Sequence, residues 1–172
     1  MTLLIDDVRR DAQMSADGRY RYLLSRSWSD APHAIFVMLN PSTADHLVDD
    51  RTIGRCMGFA RRWHCGGITV ANLFAYRATR PAVMARAADP VGPETDAILA
   101  HLAERADARN CPVIAAWGAH KLSAGRAARV FKLFGRMQAL AVNQDGSPKH
   151  PLYVKGNAQR LDWAPPSFGI SS

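Results

Sequence analysis

Four stretches of the chain are apolar almost without interruption, and each runs into polar residues at its carboxyl end. They are Ala34 to Leu39, Ile68 to Asn72, Pro112 to Trp117 and Gln138 to Val142. Runs of that kind suit strands of a parallel sheet covered on both faces, not half-exposed strands that alternate. Between them the apolar residues fall at helical spacing. Ile53, Cys56, Met57 and Ala60 define a helix over Thr52 to Trp63, and Ile98, Leu99, Leu102 and Ala106 one over Glu94 to Ala108. A further helix is predicted over Ala124 to Phe134, and a short one, opened by a proline, over Pro81 to Ala88. Asp49 and Asp50 precede the first helix, where acids complement the helix dipole, and Gly66-Gly67 stop it. Strand, helix and strand at this length imply a right-handed parallel crossover. The expected fold is a three-layer α/β/α domain with a central four-stranded parallel sheet.

The flanks read differently. In residues 1–30, Asp17-Gly18 is a hairpin turn, Arg19 to Trp28 has strand character, and Val8 to Met14 is its expected partner, so an N-terminal β-hairpin is predicted at the sheet margin. Residues 154–172, with Trp163 and Pro165-Pro166, read as a packing tail. Repeats, low-complexity tracts and long linkers are lacking, and 172 residues are expected to form one domain.

Composition narrows the class. With 48% hydrophobic and 22% charged residues the chain is globular, and no apolar run approaches the ~20 residues that cross a bilayer. The apolar stretch of MTLLIDDVRR is too short for a signal peptide and acids follow it, so a cytoplasmic protein without a membrane partner, monomeric, is expected. Cys56, Cys65 and Cys111 lack C-x-x-C spacing and are expected to be buried small hydrophobes. A formal charge of +7 suits a polyanionic partner. Arg126, Arg129, Lys132 and Arg136 recur every three or four residues along one side of a helix, a stripe that tracks phosphates or is simply a solvated face.

Candidate chemistry lies at the strand ends. Asn40-Pro41-Ser42 follows the first strand, Asn72 ends the second, His120 follows the third and His150 the loop after the fourth. Parallel strands put their carboxyl ends on one rim, where α/β sheets bind ligands. Taken singly, each is also explained as a turn amide or a surface histidine. Asp45, His46, Asp49 and Asp50 offer a second chemistry, a Mg²⁺ or Mn²⁺ site of a phosphoesterase, against a structural role as loop and helix-terminal acids.

The segments MLNPSTAD, DDRTIGRC, NLFAYRAT, DPVGP, AAWGAH and KHPLY resemble the microbial family catalogued as domain of unknown function 1643. More distantly, the chain is similar to the uracil-DNA glycosylase superfamily. There a strand ends in a motif such as G-I-N-P-G or G-Q-D-P-Y, a second strand ends in Asn, a V-I-x-x-L-G strand precedes a helix, and an H-P-S loop follows. Met38 to Ser42, Thr69 to Asn72, Val113 to Gly118 and His150 to Leu152 take those places in order. Met38 and Ser42 stand where glycines are usual, Asp49 to Thr52 where some members stack an aromatic, and Leu152 where a serine meets phosphate.

The resemblance implies a uracil-DNA-glycosylase-like fold and a hydrolase that cleaves the N-glycosidic bond of a damaged or modified base, in DNA repair or modification, without a cofactor. Its implied partner is DNA or a nucleoside or nucleotide. Asn40 would orient water and His150 would donate to the leaving base, as the catalytic pair. Asn72 would read a base edge. From their place at the strand ends, and not from the resemblance, Pro41, Ser42 and His120 are expected to complete the substrate-binding set, and from their spacing Arg126, Arg129, Lys132 and Arg136 are expected to meet nucleic acid. A non-catalytic nucleotide or nucleic-acid binding module and the metal-dependent phosphoesterase stand as alternatives.

Overall fold

A computed structural model describes residues 7–43 and 46–166. Seven strands, β1 Arg9–Met14, β2 Arg21–Ser27, β3 His33–Met38, β4 Gly67–Asn72, β5 Val113–Ala115, β6 Met137–Ala139 and β7 Leu161–Trp163, make one sheet in the order β1-β2-β4-β3-β5-β6-β7. The helices are α1 Arg51–Arg62, α2 Pro81–Ala85, α3 Thr95–Arg109 and α4 Ser123–Phe134, with a 3-10 turn at Pro151–Tyr153. The chain is therefore mixed α/β.

The four apolar runs are β3, β4, β5 and β6, which pair in parallel. Alternate residues serve opposite faces. Ala34, Phe36 and Met38 of β3 join Ile68 and Val70 of β4 and Ile53, Cys56 and Phe59 of α1 in one core. Ile35, Val37 and Ala71 join Leu99 and Leu102 of α3 and Val130 and Phe134 of α4 in the other. Each such fully buried large side chain contributes roughly 1.5–3 kcal/mol, which explains why neither face of these strands can carry an unsatisfied polar residue cheaply.

The four-stranded expectation is corrected at both edges. β2 pairs antiparallel with β4, Leu24 opposite Val70, so the hairpin β1–β2 continues the sheet instead of sitting beside it. β7 pairs antiparallel with β6, Met137 opposite Trp163, in a segment read from sequence as a tail. Three residues with two exposed give no period from which to read a strand. β5 is shorter than its apolar run because Gly118, at φ 77, turns the chain away after Trp117.

Asp50 caps α1, its side chain accepting from Ile53 N at 2.8 Å. That helix ends through His64, at φ 58, and not at the Gly66-Gly67 pair. Those glycines serve a close approach instead, since a Cβ on Gly66 would lie 2.3 Å from the Ala31 carbonyl oxygen and one on Gly67 2.3 Å from that of Arg26.

Candidate functional site

Beyond the ends of β3 and β4 the two chains stay zipped. Leu73 N donates to Met38 O at 2.9 Å, Phe74 N to Leu39 O at 3.0 Å and Ala78 N to Pro41 O at 3.0 Å. The Asn40 amide seals this seam, its Nδ2 donating to Pro41 O at 3.1 Å and to Ala78 O at 2.9 Å. Both partners are carbonyl oxygens, so the amide can face only one way. Its Oδ1 is thereby held as an acceptor, with no donor among the described residues.

Asn72 closes β4 on the face of Ile68 and Val70, opposite Met38 in register. It is 5% exposed, and its side chain makes no hydrogen bond among the described residues. It lines a cavity of about 260 Å³ together with Asn40, Pro41, Ser42 and His150. The apolar floor is Leu24, Met38, Ile53 and Val70, and Arg21, Asp50, Thr52 and Thr79 complete the polar wall. Among the described residues no Phe, Tyr or Trp lines this cavity.

His150 precedes the 3-10 turn, and its Nδ1 accepts from Leu152 N at 3.2 Å. The neutral ring therefore carries its proton on Nε2, as a donor. Burial lowers the pKa of this imidazole, against an opposing pull from Asp50, so the neutral form holds at neutral pH. Arg21 is buried at the start of β2, its pKa lowered by burial and by the like charge of Arg77 while Asp50 raises it. Sequence reading missed Arg21, because one arginine among several in an alternating strand carries no signal of depth.

The remaining candidates lie elsewhere. His120 lines a different cavity of about 530 Å³ with Trp117, Trp163 and Pro166, and its Nδ1 accepts from Leu122 N at 3.2 Å. The two cavities share no lining residue among those described, and between Trp117 and His120 the chain makes a left-handed turn at Gly118, whose N donates to Pro148 O at 3.0 Å. The arginine stripe is split too. Arg126 is 9% exposed and is bonded to Leu73 O at 2.8 Å and Asp96 at 2.5 Å, which corrects the expectation that it faces solvent. Arg129, 67% exposed, holds the other oxygen of Asp96 at 2.7 Å. Burial pulls the Asp96 pKa up, but the bonds from both guanidiniums outweigh it and hold the carboxyl below its usual range. Lys132 is exposed, and Arg136 lies beyond the end of α4, donating to Cys111 O at 3.1 Å.

Of the acidic set, Asp45 falls outside the described residues. Asp49 accepts from Arg26 Nε at 2.7 Å and from Arg10 Nη2 at 3.0 Å, and Arg26, 0% exposed, also donates to the carbonyl of His46. Asp50 is the α1 cap. No group of three or more His, Cys, Asp or Glu able to hold a metal occurs among the described residues. Asp49 thereby holds the loop after β3 against β1 and β2.

The model of the family described as protein of unknown function (DUF1643) matches residues 21–152, and the chain belongs to that family. No curated protein matches the chain. No solved structure matches it either.

Proposed function

We propose that this protein takes a single nucleobase into the cavity between Asn40, Asn72 and His150 and hydrolyses the N-glycosidic bond of a damaged or modified base. The observation that carries the reading is Asn72: a 5% exposed amide with no protein partner, opening on a cavity. An amide offers a donor and an acceptor side by side, which matches a base edge and makes sense of a polar group that opens on the cavity without a protein partner. A volume of about 260 Å³ lies below the ~300–1,000 Å³ typical of larger ligands, in keeping with one ring system and not a whole nucleotide. The motif order shared with uracil-DNA glycosylases supports the same fold and chemistry.

The roles follow from which atoms are committed. Asn40 presents only Oδ1, so it orients a water but takes no proton from it. Asp50 lines the same cavity and is the carboxylate that accepts the proton as the water oxygen bonds to the sugar carbon. The bond pair of the broken C–N bond leaves with the base, and neutral His150 donates from Nε2 to the charge that develops there. Tyr153, 79% exposed with its ring centroid 5.9 Å from that of His150, offers a stacking surface beside the cavity for a neighbouring base.

The lack of Phe, Tyr or Trp among the described lining residues favours a second reading, a module that binds the base without cleaving it. Incubation with oligonucleotides carrying uracil, deaminated purines or mismatches, followed by chromatography for free base, separates the two. Base release that is lost in Asn40→Ala supports hydrolysis. Saturable binding without release supports the module. Failure to bind any base, nucleoside or oligonucleotide overturns both.

A further inference from the structure

On the opposite face and at the opposite end of the sheet lies a larger cleft, of about 570 Å³. Its floor crosses β1 and β2 through Asp11, Gln13, Ser25 and Ser27 and reaches Thr69 of β4 and His33 of β3. These are the alternate residues of the hairpin that face the α3 side, and they are small and polar because α3 packs its apolar residues on the central strands and only borders the hairpin. The wall opposite is Arg105 and Arg109, one turn apart near the end of α3, and Arg9 of β1 stands across from them.

The bonds within the cleft leave much of its hydrogen-bonding capacity unused. Arg109 donates through one nitrogen, Nη2, to Asp30 O at 2.9 Å. The side chains of Arg9 and Arg105 make no hydrogen bond or ion pair among the described residues. Ser25 makes no side-chain hydrogen bond among them either, while Ser27 and Thr69 hold His33 at 3.2 and 2.9 Å. Two carboxylates share the lining: Asp11, which accepts from Ala12 N at 2.8 Å, and Asp30. After burial, the charges of Arg105, Arg109 and Arg9 are what lower the His33 pKa, so all three guanidiniums bear on the same point of the floor.

We propose that this cleft is a second binding site, for the phosphate groups of a nucleotide, with Arg9, Arg105 and Arg109 as the anion-binding residues. Guanidinium forks match phosphate oxygens in pairs, and a floor of hydroxyls adds neutral donors. The two carboxylates suit the donor groups that a nucleotide carries beside its phosphates, such as sugar hydroxyls. The volume lies within the ~300–1,000 Å³ of ordinary ligand sites. The site is independent of the base cavity, which sits at the carboxyl ends of the strands on the α1 face. The same phosphate chemistry is offered by a free nucleotide and by a nucleotide within a nucleic-acid strand.

Calorimetric titration of the full chain at low salt with inorganic pyrophosphate, and fluorescence anisotropy with a short single-stranded oligonucleotide, test this. Three proteins are compared with the unaltered one: Arg9→Gln/Arg105→Gln, the α4 control Arg129→Gln/Lys132→Gln, and the base-cavity variant Asn72→Ala. Neither Arg9 nor Arg105 has a structural partner to lose among the described residues. Pyrophosphate affinity reduced about tenfold or more in the cleft variant alone establishes the site for free phosphates. The same selective loss seen only with the oligonucleotide establishes it with the strand as the source. Absence of saturable binding of both probes overturns the proposal, as does equal loss in the α4 control or loss in Asn72→Ala alone.

Discussion

Asn72 sets function against stability within one side chain. Its amide opens on the cavity without a protein partner, so an apolar group of the same shape removes no protein hydrogen bond and relieves the cost of holding a polar group at 5% exposure. Asn72→Leu is therefore expected to unfold at equal or higher denaturant concentration than the natural protein while losing nucleobase binding. A clear loss of stability would reveal a structural role for the amide. Asp49 shows the opposite economy. It faces Arg26, whose side chain is 0% exposed, and Asp49→Asn would leave that guanidinium charge buried without its counter-ion. The expected cost is about 3 kcal/mol, at the low end for broken buried pairs because Asp49 is itself 26% exposed. Arg26→Met should cost less, and denaturant curves of the two variants measure the difference. His150 and His33 give a pH signature, since burial lowers both pKa values. Below about pH 6.5 the unfolded chain takes up protons before the folded one does. Stability is then complete above that pH and falls as acid is added through the window down to the folded pKa. His150→Gln should flatten the acid limb of the unfolding midpoint against pH, and an unchanged limb would remove His150 from the argument.

The α4 helix decides how far spacing alone can be read. Its three- and four-residue repeat of basic residues specifies a face of one helix, but not what lies against that face. Asp96, on α3, receives both Arg126 and Arg129, and so a residue of the stripe became part of the core. Arg126→Ala is expected to destabilise by about 1–3 kcal/mol through the bonds lost to Leu73 O and Asp96, and Lys132→Ala by less than about 0.5, as measured by thermal unfolding. Other elements were legible for a physical reason. β3 and β4 are buried on both faces, and burial writes itself into sequence as an unbroken apolar run. The hairpin was legible through Gly18, whose φ of 73 its turn requires. β7 was not, because Leu161 and Asp162 are exposed and its stability comes from Trp163 on the far side of the chain fold. The convergence of Asn40, Asn72 and His150 could be read because strand ends share a rim. The diversion of His120 by the turn at Gly118, and the depth of Arg21, depend on contacts between distant segments.

At the scale of the whole molecule, residues 21–152 match the family, yet both edge strands lie outside that span. β7 brings Trp163, 8% exposed, edge-on to Trp117 at 5.2 Å and to Phe131 at 6.2 Å, with its indole nitrogen donating to Gly146 O at 3.0 Å. Loss of a buried tryptophan costs about 3–5 kcal/mol, a large part of the ~5–15 kcal/mol by which a domain of this kind is stable. β1 covers the edge of β2 and supplies Arg10 to the loop clamp and Arg9 to the proposed phosphate cleft. Its removal exposes an unpaired strand edge, which invites association. A chain cut to residues 21–152 is thus expected to lose cooperative thermal unfolding and to elute as aggregate. A chain cut to residues 21–166, which keeps β7, should unfold cooperatively at a lower temperature and bind pyrophosphate more weakly. If the shorter chain melts cooperatively within a few degrees of the full one, the core closes without Trp163, and the edge strands serve the cleft and the loop instead of the fold.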